Sequence, residues 1–74
     1  MTVYVLLWQD RHLDPGIEVF TGEADARARA WQIARDNARY PENIREELTP
    51  WLLYIQYTVE ADDFVRVEKV DVQP

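Results

Sequence analysis

The sequence contains no cysteine among its 74 residues, so neither a disulfide nor a thiolate metal cluster can stabilise the fold. Serine is absent too, and the only glycines are Gly16 and Gly22, which excludes a glycine-rich phosphate loop. No run approaches 18 apolar residues, and no segment has the order of a signal peptide, so we expect a cytoplasmic protein. Basic residues are scarce: the net charge of −6 argues against direct nucleic-acid binding.

The short chain predicts one domain, residues 1–74, near the size at which a single core barely offsets the entropy of folding. Because disulfides are excluded, stability must come from the aromatic residues, Trp8, Trp31 and Trp51 above all, or from association with a second copy.

Two strands are predicted at the N-terminus. Residues 2–9 are β-branched and aromatic with both alternating sets apolar, which is typical of an interior strand covered on both faces. Residues 17–20 form a shorter strand. Pro15 and Gly16 predict a reversal, because proline fixes φ and glycine accepts the positive φ of many turns. The segment 10–16 is therefore interpreted as a hairpin tip.

A helix is predicted over residues 23–39, where small apolar residues recur at helical spacing and Thr21 can cap the first turn. It should end before Pro41. Residues 41–48 predict a short helix or turn, with Pro41 at a suitable first position.

Residues 51–59 fit both a helical stripe and an alternating strand. The polar segment 60–63 and the strand-like run 64–72 favour a C-terminal hairpin, with a bulge near residues 68–69. The predicted fold class is α+β: an antiparallel sheet of about four strands, in the order ββα(α)ββ, with one main helix on one face. The alternative is a three-stranded ββααβ arrangement.

Short motifs carry a resemblance to a family. Asp-Arg-His-Leu-Asp at 10–14 follows the first strand, and Trp-Leu-Leu-Tyr at 51–54 precedes Glu-Ala-Asp-Asp at 60–63. The chain thereby resembles small uncharacterised proteins of high-GC bacteria and their phages, although Ala61 stands where those proteins tend to have glycine. The resemblance implies the C-terminal hairpin and carries no activity.

The loop between the first two strands is the one place where unlike chemical groups meet. Its candidate recognition residues are Asp10, Arg11, His12 and Asp14. Arg11 can hold a carboxylate or phosphate through two hydrogen bonds, and His12 with an ordinary pKa would make such binding pH-sensitive.

Three other interpretations of this loop stay open. The carboxylates, His12 and Glu18 could ligate a divalent metal, His12 could act as an acid–base group with Asp10 or Asp14, or the loop is a plain turn. Closed zinc sites normally use cysteine or several histidines. We therefore assign no metal, no cofactor and no catalytic residue, and we expect no enzyme.

A candidate interface follows from the predicted sheet. If the helix covers one face, the opposite face displays Tyr4, Leu6 and Trp8 beside Leu52 and Tyr54. Monomers seldom expose such a contiguous apolar patch, so we expect a non-enzymatic interaction module with a protein partner, most simply a homodimer. The alternative is that these residues form one ordinary core.

The acidic surface permits another interpretation, a phage-type inhibitor whose carboxylates mimic the phosphates of DNA. The candidate acids are Glu42, Glu46, Glu47, Glu60, Asp62, Asp63, Glu68 and Asp71. Against it stands an acidic surface that only keeps a small domain in solution.

Overall fold

Five antiparallel strands and one α-helix form the fold, in a computed structural model that describes residues 1–11, 13–58 and 63–73. The elements in chain order are β1 (Thr2–Asp10), β2 (Leu13–Phe20), α1 (Glu23–Asn37), a 3-10 turn (Pro41–Asn43), β3 (Arg45–Leu48), β4 (Leu52–Gln56) and β5 (Phe64–Asp71). The strands lie side by side in the order β2-β1-β5-β4-β3. The predicted α+β class is confirmed, but the described residues form five strands instead of about four, in the order ββαβββ instead of ββα(α)ββ. Within the described residues, no helix combines the length and apolarity that crossing a membrane requires.

The N-terminal strand lies inside the sheet, as predicted. It pairs with β2 on one side and along its length with β5 on the other. The two ends of the described chain are fastened together, because the Thr2 hydroxyl donates to Asp71 over 2.6 Å and the Val72 N–H donates to the Met1 carbonyl over 2.7 Å.

Helix α1 lies against one face of the sheet through small side chains. Ala26, Ala30 and Ala34 are fully buried, and the short side chains let the helix backbone approach the strands closely. The buried core consists of Leu6, Ala26, Ala30, Ile33, Ala34, Leu53, Ile55, Tyr57, Val65 and Val67. Each fully buried aliphatic side chain of this set stabilises the fold by about 1.5–3 kcal/mol.

The ends of α1 differ from the prediction. The helix begins after Gly22, which supplies no side-chain hydrogen bond, so Thr21 is not the cap. It ends at Asn37 instead of residue 39, because the backbone of Ala38 is already extended, with a ψ of 124°.

The short helix or turn predicted over 41–48 is confirmed only at Pro41–Asn43, which forms a 3-10 turn. The prediction is wrong for Arg45–Leu48, which is an edge strand paired with β4. Thr49 makes this hairpin possible, since its hydroxyl accepts the Leu52 N–H over 3.0 Å and its own N–H donates to the Leu52 carbonyl over 2.8 Å. The fifth strand comes from this segment.

The C-terminal hairpin is confirmed, and the three-stranded alternative with a helix over 51–59 is wrong. Strand β4 pairs with β5, with Tyr54 opposite Arg66. The predicted bulge near residues 68–69 is also wrong, because β5 keeps a regular register with both neighbours there. The irregularity lies between Trp8 and Asp10, where the register of β1 with β2 shifts.

Pro15 and Gly16 lie inside β2 and do not form the reversal, which lies between the end of β1 at Asp10 and the start of β2 at Leu13. Gly16 has no positive φ; it is required because it lies opposite Trp8. A Cβ atom at position 16 would come within 1.9 Å of the Trp8 ring. The glycine therefore serves close packing of the indole and not a turn.

We predict that Gly16→Ala destabilises the fold by about 1–3 kcal/mol, because the added methyl group forces the Trp8 ring out of its position. Gly22→Ala is the matched control: its Cβ would lie 3.4 Å from the nearest atom, and we expect a change below about 1 kcal/mol. Urea unfolding measures both. Equal effects of the two substitutions would contradict the packing explanation.

Candidate functional site

The hairpin between β1 and β2 closes over a buried hydrogen bond. Asp10, the last residue of β1, is 6% exposed and accepts a hydrogen bond from the Tyr57 hydroxyl over 2.6 Å. Tyr57 is itself 2% exposed. Asp10 is therefore a buried acceptor and not a displayed recognition residue.

A second carboxylate ties the hairpin to the start of β5. Asp63 is buried and accepts the Arg11 backbone N–H over 3.0 Å, while its other oxygen lies 3.8 Å from the Arg11 side-chain Nε. The Asp63 carbonyl also accepts the Tyr57 N–H over 3.1 Å. Asp10, Arg11, Tyr57 and Asp63 are called the hairpin clip below.

The clip holds Tyr57 in its neutral form. Burial of the ring, then the hydrogen bond to Asp10 and the negative charges of Asp10 and Asp63, raise the pKa of the Tyr57 hydroxyl far above its ordinary value. The hydroxyl is therefore a permanent donor near neutral pH. What these four residues achieve chemically is attachment of the loop to the core.

Asp14 and Glu18, which were also predicted to act at or beside this loop, lie outside the hairpin clip. Asp14 is exposed, and its carbonyl accepts the Trp8 indole N–H over 3.2 Å. Glu18, a predicted metal ligand, instead pairs with Arg29 on α1 over 3.0 Å. His12 lies outside the described residues. Within the described part, no three histidine or acidic side chains come together as a metal site would require.

The described acids of the DNA-mimic interpretation form no single array. Asp63 is buried in the hairpin clip, and Asp71 accepts the Thr2 hydroxyl. Glu47 and Glu68 share a sheet face with two arginines, as described below. Glu60 and Asp62 lie outside the described residues.

The sheet leaves the face opposite α1 without a helix over it in the described part of the chain. We call it the open face. Its apolar side chains, assigned from the strand register, are Val3, Val5, Leu7, Ile17, Val19, Leu52, Tyr54, Phe64 and Val70. Ile17 and Val19 are 64% and 62% exposed, and the rings of Tyr54 and Phe64 stack at 5.2 Å.

Leu52 and Tyr54 of the predicted interface lie on the open face, but the three β1 residues lie on the other. Leu6 is fully buried under α1, and Tyr4 and Trp8 pack against the same core. The sequence does indicate which alternating set of β1 residues lies under α1. A helix whose buried positions are alanines leaves room for large rings, so the set containing Tyr4 and Trp8 belongs beneath it.

Two groups of residues escaped the sequence reasoning. Ile17 and Val19 were not assigned to a surface, although their alternation with Glu18 indicates one exposed apolar side of β2. The sequence analysis placed Asp63 only among the surface acids and did not single out Tyr57, because their contacts with Asp10 and Arg11 join residues far apart in the chain.

Compared with known proteins, the chain matches no family model, no curated protein and no solved structure.

We predict that Tyr57→Phe lowers the free energy of unfolding by about 1.5–3 kcal/mol, because it removes a buried hydrogen bond to a carboxylate. Tyr54→Phe, in β4, is the matched control, since its ring is stacked on Phe64 and no described residue bonds its hydroxyl. Chemical unfolding at pH 7 gives both values. A loss for Tyr54→Phe as large as that for Tyr57→Phe would refute the role of the clip.

The hydrogen bond between Tyr57 and Asp10 also predicts that the free energy of unfolding depends on pH. The unfolded state releases the Tyr57 proton near pH 10, whereas the folded state keeps it to a higher pH. The stabilisation that comes from the raised pKa should be fully present below pH 10. Above pH 10 the free energy of unfolding should fall by up to about 1.4 kcal/mol per pH unit. The difference between the native chain and Tyr57→Phe should therefore shrink above pH 10, and parallel stability curves would contradict it.

Proposed function

We propose that this chain is a small protein-interaction module that associates with a second copy of itself through the open face. The observation that supports the proposal is the apolar side of the sheet, which no helix covers in the described part of the chain. Two such faces packed about 10 Å apart would exclude water from both, as in a β-sandwich.

The exposure of the open face supports a partner. Ile17 and Val19 are adjacent on one side of β2 and both more than half exposed, and they continue the apolar surface of Val5 and Leu7 on β1. Contiguous apolar surface of this kind is rare on monomers and marks contact sites. Its burial supplies the favourable free energy of association.

Charge favours a second copy as the partner. The open face carries Arg45, Arg66, Glu47 and Glu68, and is neutral although the chain has a net charge of −6. Two copies can therefore approach through this face without the repulsion that their other surfaces impose. A face with both signs also offers each arginine an acidic partner on the opposing copy.

The edges of the sheet are poorer contact sites. Strand β3 presents Arg45, Glu46 and Glu47 along its unpaired edge, and β2 contains Pro15, which donates no hydrogen bond. Charged residues and proline are the usual means of preventing strand addition at an edge. Association through the face is therefore favoured over extension of the sheet.

The area of the open face determines the expected strength of the association. With a rise of about 3.3 Å per residue and a spacing of about 4.8 Å, the strands cover roughly 500 Å². Specific interfaces bury about 800 Å² on each partner. We therefore expect a reversible dimer with a dissociation constant in the micromolar range or weaker.

We predict that Val19→Lys weakens this association at least tenfold, because it places a charge within the apolar contact, beside Val5. Leu48→Lys is the matched control: Leu48 is 55% exposed and lies opposite the buried Leu53, on the face of the sheet that carries α1. Sedimentation over a series of concentrations measures the association of all three chains. A native chain that stays monomeric up to the millimolar range overturns the proposal.

A charge exchange tests the same face independently. Arg66→Glu changes the open face from neutral to a charge of −2 and should abolish association. Adding Glu68→Arg restores neutrality with the same composition, and should restore association in the double variant. Loss in both variants would show that Arg66 acts locally and not through the balance of charge.

A further inference from the structure

A groove lies on the side of the sheet that carries α1, between this helix and the hairpin of β1 and β2. Its volume is about 290 Å³, and it is lined by Trp8, Asp14, Arg29, Ile33, Asp36 and Asn37. It shares no residue with the open face, so it does not depend on the proposed dimer.

The hydrogen-bond donors of the groove are largely engaged within the protein. The Trp8 indole N–H donates to the Asp14 carbonyl, and the Asn37 amide donates to the Ile33 carbonyl. Arg29 donates through Nε to both carboxylate oxygens of Glu18, at 3.0 and 3.3 Å, so its positive charge is already matched.

The hydrogen-bond acceptors of the groove, in contrast, are not engaged within the described part of the protein. Among the described residues, none donates to the carboxylates of Asp14 and Asp36 or to Oδ1 of Asn37, and neither carboxylate forms an ion pair. Two exposed carboxylates and an exposed amide oxygen therefore line the same groove as the Trp8 indole ring. A ligand that displaces water from these acceptors and pairs with both carboxylates is positively charged and donates hydrogen bonds.

We propose that the groove binds a small organic cation with N–H donors, an alkylguanidinium or alkylammonium group. The Trp8 ring supplies an aromatic surface for the cation, and the protein's own cation–π contacts in the described part use the other rings of Trp31, Tyr40 and Trp51. The volume is near the lower end of ligand pockets, which suits a ligand of few atoms.

The test compares N-propylguanidinium with N-propylurea, which has nearly the same shape and no charge. Titration of the ¹⁵N-labelled protein follows the indole N–H resonance of Trp8. We expect a saturable shift of this resonance with N-propylguanidinium and none with N-propylurea. Equal shifts with both compounds, or no saturable shift with the cation, would overturn the proposal.

Substitutions then locate the site. Asp14→Asn and Asp36→Asn should each weaken binding of N-propylguanidinium about two- to fivefold, since each removes one exposed carboxylate charge. Asp25→Asn is the control, because it removes the same charge from an exposed position of α1 outside the groove. If Asp25→Asn weakens binding as much as the other two, the cation is attracted only by the overall charge and the groove is not its site.

Discussion

The structure depends on one constraint: in the described part of the chain, a single 15-residue α-helix is the layer that covers a five-stranded sheet. Ala26, Ala30 and Ala34 bring α1 close to the strands, and the large side chains of the sheet fill the space beside them. Burial on this side is therefore dense. The other side of every strand receives nothing from α1, so apolar residues there stay at the surface. The division of the sheet into a covered and an open face follows from the number of helices.

The two candidate sites lie on opposite faces of the sheet. The open face offers area, apolar contact and a neutral charge, which suits a flat partner such as the same face of another copy. The groove beside α1 offers acceptors and an indole ring in a small volume, which suits a small cation. The hairpin clip serves neither directly. It fixes the end of β1, and thereby the part of the hairpin that carries Trp8 and Asp14.

The sequence predicted the elements whose pattern is local. Strand β1, helix α1 and the C-terminal hairpin follow from periodicity and from the polar segment 60–63. Strand β3 could not be found this way, because Arg45–Leu48 contains no β-branched residue and becomes a strand only by pairing with β4. The role of Gly16 was predicted wrongly because a glycine can serve either a turn or close packing, and only the position of the Trp8 ring distinguishes the two. The buried position of Asp10 was missed for a similar reason: its partner is Tyr57, which is distant in sequence.

The pairing of β1 with β5 also governs how the chain folds. Thr2 lies opposite Asp71, so the interior of the sheet joins the first and last strands. Contacts of such high sequence separation slow folding, because the closure of a long loop precedes the energy they return. During synthesis β1 has only β2 as a partner, and an isolated two-stranded hairpin is marginal in water. Until β5 has been made, the edge of β1 that later pairs with β5 is therefore exposed together with the open-face side chains of β1.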